Sequence, residues 1–204
     1  MKRLMSLIIL MTFAGVGCAK KLDPEEPCNF VQNGELQRVS WKGQFPVEIY
    51  IHESVPEEYW SSIQLAMAEW EVKLKRPLFK IVGVLEGANT GGEKDGRNVI
   101  YYMPEWEEGR DREQARTTIL WLGDMIYESD IRINGSGDFQ YSSAAEPVSG
   151  RVDMQSLMLH ELGHVLGLQH NGASGSVMAT TLANATLRRE ANPVDVQSLR
   201  CEYN

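Results

Sequence analysis

Three of the four histidines in this 204-residue chain fall within eleven positions, in the stretch "LMLHELGHVLGLQH" at residues 157–170. The stretch is otherwise apolar, and an apolar run of this length reads as a helix with a face turned to the core. His160 and His164 are four apart, which places their rings on one helical face about 6 Å apart along the axis. Two imidazoles so placed can converge on one metal ion at about 2.0–2.1 Å each. Glu161 sits about 100° round from His160, so it reaches past the ion without serving as a ligand.

His170 constrains the fold further. On a continuous helix it would lie about 15 Å beyond His160, out of reach of a shared ion. The chain must therefore break, and Gly167 is the residue that can break it, because glycine accepts left-handed angles and commonly ends helices. Three neutral imidazoles leave a tetrahedral ion one open position, the mark of a catalytic rather than a structural zinc site. Two satisfied surface histidines on a helix would explain His160 and His164 alone. The joint pattern arises by chance on the order of once in a hundred thousand such chains.

The remaining sequence reads as one domain, residues 39–204, of α/β class in the α+β sense. "VEIYIH" alternates, with Val47, Ile49 and Ile51 on one face and Glu48, Tyr50 and His52 on the other, so His52 is expected on the surface. A helix is expected to open near Pro56 and run to about Lys75, because Tyr59, Ile63, Met67, Trp70 and Leu74 recur at helical steps. Residues 78–84, 98–103, "ARTTILWLG" and "YESDIRIN" add strands. The expectation is a twisted mixed sheet of about five strands with a long helix, an active-site helix and a C-terminal helix, "PVDVQSLRCEY". Asp195 in that last helix reads as a helix-start carboxylate favoured by the helix dipole.

The N-terminus has the layout of a secretory signal over residues 1–17, with Lys2 and Arg3 ahead of an uncharged apolar stretch. The small residues before Cys18 resemble a lipobox. That resemblance implies lipidation at Cys18, a membrane anchor and an exported cell-envelope protein, with plain secretion as the alternative. Residues 18–38 are polar and read as a tether. With Cys18 lipidated, Cys28 and Cys201 remain as an even pair, expected to form a disulfide in an oxidising compartment. A rival reading makes Cys28 an inhibitory zinc-binding thiolate.

"HELGHVLGLQH" followed by "SVM" resembles the metzincin metalloproteases, and within them the matrixin-type branch. The resemblance implies that His160, His164 and His170 are zinc ligands, that Glu161 is the general base and acid, and that Met178 forms an apolar floor under the metal. It also implies an extended peptide substrate lying on a strand edge within 115–123, a pocket walled by residues between Met178 and Pro193, and, as the alternative to the helix-start role, a contact from Asp195 beneath the turn at Met178. The chain departs from the matrixin pattern at Asn171, where Ser is usual, and with only His52 left over it cannot build a second histidine-bound zinc. Calcium could be held only by "NTGGEKDG" at 89–96.

The formal charge of −8 argues against nucleic acid as a partner, since phosphate binding wants a basic face. The function expected is a zinc endopeptidase acting as a monomer. Two other classes stay open: a non-catalytic envelope protein that keeps zinc for structure, and a zinc hydrolase of a non-peptide amide or ester.

Overall fold

The computed structural model describes residues 23–92 and 94–204. The signal-like stretch 1–17 and Cys18 lie outside the described residues. Among the described residues no helix is long and apolar enough to cross a membrane.

The alternating segment forms β1 (Val47–His52). With β2 (Phe79–Leu85), β3 (Val99–Met103), β4 (Ala115–Leu122) and β5 (Met125–Asn134) it makes a five-stranded sheet in the order β2-β1-β3-β5-β4. Neighbours are parallel except β4, which runs antiparallel to β5 and forms one edge. Parallel neighbours need a long crossover, and α1 (Trp60–Leu74) supplies the one from β1 to β2. It starts later than Pro56 because Glu57–Tyr59 forms a separate 3-10 turn. Lys75, with φ 56°, ends it.

Register brings Ile51, Ile100 and Ile131 side by side on β1, β3 and β5. All three are buried, and each contributes about 1.5–3 kcal/mol by leaving water. Ile63, Ala66, Met67 and Trp70 of α1 belong to the same core. The helix α2 (Met154–Val165) packs against α1, where the Trp70 indole N–H donates to the Leu159 carbonyl at 3.0 Å. The final helix, α3 (Pro193–Tyr203), opens on a capping box formed by Asn192 and Asp195. Two very short parallel strands, β6 (Tyr141–Ser142) and β7 (Val152–Asp153), lead into α2; at two residues each they leave no periodic signal in the sequence.

Two expectations are corrected. His52, expected at the surface, is 2% exposed. The segment Gly91–Gly92 of the loop between β2 and β3 folds back over the outer face of the sheet. It comes so close that a Cβ on Gly91 or Gly92 would fall 2.8 Å from Met103 Cε or Asp130 Oδ2. His52 Nδ1 accepts from the Ser54 N–H, and its ring lies 5.1 Å from that of Tyr101. The second correction concerns the stretch 18–38, read as a tether. From Cys28 onward it enters the core: Phe30 is completely buried, and Cys28 is disulfide-bonded to Cys201. Its polar composition hid single apolar residues whose partners are distant in sequence.

Candidate metal centre

The helix carrying the histidines stops where the sequence requires. Gly167 has φ +96°, and its N–H donates to the His164 carbonyl while the Leu168 N–H donates to Gly163 O. This is the paired hydrogen bonding of a Schellman end. The next two carbonyls are also satisfied, Val165 O by the Trp41 indole and Leu166 O by the Tyr203 hydroxyl. A Cβ at 167 would lie 2.5 Å from Val39 O and 3.0 Å from the Phe30 ring. Glycine is needed there both for its angles and for the close approach of another strand of chain.

That neighbouring chain aims the third histidine. Phe30 bridges antiparallel to Leu168, the Val31 N–H donates to Gly167 O, and the Gln169 N–H donates to Asn29 O. The Cys28–Cys201 disulfide fastens the same segment to α3. His170 is thereby folded back toward the helix, and one ring nitrogen from each of His160, His164 and His170 lies within 4.8 Å of the others.

The first two rings are held by their far nitrogens. His160 Nδ1 donates to Val177 O and His164 Nδ1 donates to Leu168 O, both at 2.7 Å. A carbonyl can only accept, so each Nδ1 carries the hydrogen. Burial pushes both imidazoles down to about 4, so neither is charged near neutral pH. Each Nε2 is therefore a bare lone pair, and the two stand 3.1 Å apart. Two acceptors repel at that distance unless a cation sits between them, and tetrahedral zinc with bonds of 2.0–2.1 Å sets its ligands about 3.3 Å apart. The donor set fits zinc. Among the described residues this trio is the one grouping of three His, Cys, Asp or Glu ligand atoms close enough to share an ion. Within the stretch 89–96, Gly92 instead lies against Asp130 of β5, and the Gly96 N–H donates to Glu128.

Met178 is fully buried, and a Cβ on Gly163 would fall 2.3 Å from its sulfur, so helix and methionine are in direct contact. The turn before Met178 rests on Asp195, which takes both roles its sequence left open. It caps α3, accepting from the Asn192 N–H, and it accepts from Ser176 Oγ at 2.5 Å and the Val177 N–H at 2.9 Å. Val177 is the residue whose carbonyl orients His160. A carboxylate on α3 thus fixes a turn that fixes a ring, the indirect support common around metal sites.

Glu161 is 4% exposed and lines a cleft of about 480 Å³ together with the three histidines. Thr117 on β4 donates its hydroxyl to Glu161 Oε2 at 2.6 Å. Burial pushes the carboxyl above the usual carboxylate range, while His164 and the Thr117 hydroxyl pull the other way. The edge strand β4 contributes Ala115, Arg116, Thr117 and Ile119 to one wall, and Ala179–Leu182 with Arg188 form another. Thr117, Gly163 and the segment at 29–31 escaped the sequence reading, whereas the expected Cys28–Cys201 pair is present. Thr117 lies 44 residues from Glu161, and nothing local marks it except an alternating strand.

The matrixin family profile matches residues 44–204. Metalloendoproteinase 2-MMP of Arabidopsis thaliana is 32% identical over 56 residues, a stretch that makes up 28% of this chain and 15% of the plant protein. Fold, histidine trio and family profile agree, and the chain belongs to the matrixin family of metalloendopeptidases.

Proposed function

We propose that this chain is an exported endopeptidase that hydrolyses extended peptides in the β4 cleft, with His160, His164 and His170 as zinc ligands and Glu161 as general base and acid. The observation that carries the reading is the pair of unprotonated Nε2 atoms facing each other beside a buried carboxylate that, among the described residues, no lysine or arginine pairs. Zinc held there would supply Lewis acidity, polarising a substrate carbonyl and acidifying an adjacent water.

The chain's own residues supply the rest. Thr117 occupies Glu161 Oε2, which steadies the carboxylate and leaves Oε1 to accept a proton from the attacking water. The same carboxyl then returns the proton to the leaving amine, a task suited to a group raised by burial. The free edge of β4 offers backbone N–H and C=O groups to an extended substrate, which adds as another strand. Residues 179–188 wall the pocket for the side chain after the cut. The segment 1–17 acts as a secretory signal and Cys18 as the lipid anchor, which accords with a disulfide in the mature fold. A protein keeping zinc only for structure has no use for Glu161, and this counts against a purely binding role.

The test is zinc-dependent digestion of a peptide library, with Glu161→Gln as the comparison. Cleavage should fall by at least about 10²-fold while zinc stays bound at one equivalent. One equivalent of zinc with no hydrolysis of any peptide by the unaltered protein would overturn the proposal.

A further inference from the structure

A charge in the cleft is left without a carboxylate partner among the described residues. Among the described residues no carboxylate lies within 4.0 Å of the Arg188 guanidinium, although Arg188 lines the same cleft as His160 and Glu161. Its neighbours are differently disposed. Arg189 is bound to the buried Asp153, and Arg116 is bound to Glu113 and Glu107. Of the cleft's carboxylates, Glu113 is engaged by Arg110 and Arg116, and Glu161 is held by Thr117.

The position of Arg188 is fixed by its backbone. Its N–H donates to Ser156 Oγ at 2.6 Å, one helical turn before His160 on α2. The side chain spends one donor on the Thr181 carbonyl at 3.2 Å, which leaves most of the guanidinium fork available. An unpaired guanidinium at a concave wall matches a carboxylate in two parallel hydrogen bonds. The chain as a whole carries −8, so its overall field does not attract acidic peptides; any selectivity for them must arise locally.

We propose that Arg188 makes this enzyme selective for peptides with an aspartate or glutamate next to the cut bond, its carboxylate seated on the Arg188 guanidinium. The proposal rests on the endopeptidase reading above. Leu157 and Leu182 line the same cleft, so the competing occupant is an apolar side chain such as leucine.

The experiment is digestion of a peptide library of all sequences around the cut by the zinc-loaded protein, read by mass spectrometry. Aspartate and glutamate should be enriched over leucine on the order of tenfold at one of the two positions flanking the cleaved bond. Arg188→Glu should shift that position toward lysine and arginine. Arg188→Gln, which keeps the length and a donor without the charge, should lose the acidic preference and serves if the charge reversal does not fold. Cleavage with no acidic enrichment at either flanking position overturns the proposal, as does an acidic preference that survives Arg188→Gln. Absence of cleavage at any peptide defeats the endopeptidase reading instead, and the proposal with it.

Discussion

Two groups of buried polar side chains, one beneath the cleft and one on the outer face of the sheet, are treated oppositely. Beneath the cleft, Asp195 accepts from Ser176, Val177 and Asn192, and Asp153 accepts from Ser156 and Arg189. On the outer side, Glu128 Oε1, His52 Nε2, Asn89 Oδ1 and Arg132 Nε are buried with no partner among the described residues. An unsatisfied buried polar atom costs about 1–3 kcal/mol. The satisfied network holds the histidine rings in one arrangement. The unsatisfied one lies under a loop, where a misplaced group costs stability but does not disturb the rings.

The comparison can be broken first at Gly167. Gly167→Ala should cost about 4 kcal/mol, since it puts a Cβ against a backbone oxygen at a left-handed position. It should also weaken zinc binding, because the turn aims His170. Urea unfolding and chelator competition measure the two effects. A loss under about 1 kcal/mol with zinc affinity intact would show that the turn does not hold the site.

A smaller effect is expected at Asp195→Asn. With its oxygen kept on the Val177 and Asn192 N–H groups, the amide turns an NH2 onto Ser176 Oγ, which donates to the native carboxylate, at a cost of about 2 kcal/mol. Zinc affinity or activity should fall about 10- to 100-fold, as for other groups that support ligands indirectly. An unchanged zinc affinity would separate the methionine turn from the orientation of His160.

The smallest effect belongs to the outer face, and it depends on pH. Burial pushes Asp130 from the ordinary 3.8 up to about 7, with Glu128 and Asp95 adding to the shift and the Val99 N–H and Arg132 opposing it. A raised folded-state pKa means the folded form keeps a proton that the unfolded form has lost. The stability from this group is full below about pH 4 and is lost as pH rises to about 7. Asp130→Asn keeps an acceptor for the Val99 N–H and removes that loss. Thermal unfolding from pH 5 to 8 should therefore decline less in the variant than in the unaltered protein, with no change in zinc affinity. An identical slope in both proteins would contradict the assignment.

Local patterns were legible because their geometry is the same in any protein. The alternation of β1, the helical steps of α1 and the bounds of α3 all appear where their periodicity placed them. The alternation misled at His52 because a strand face turned away from the helices is exposed only if no loop covers it. Residues 29–31 were misjudged for a related reason: polar composition describes the segment, while Phe30 finds its partner at Leu168.

By itself the sequence determined the chemistry on offer: two imidazoles one helical turn apart, a carboxylate between them, and a glycine able to end the helix before a third. Helix rise and glycine's freedom at positive φ are local properties, so no further context was needed. Tertiary structure alone decided that Asp195 would hold the turn before Met178, that Thr117 would hold Glu161, and that Arg188 would face the cleft with no carboxylate beside it among the described residues. Those partners meet because the sheet, α2 and α3 close around one core, and contacts across that core depend on the packing of every element at once.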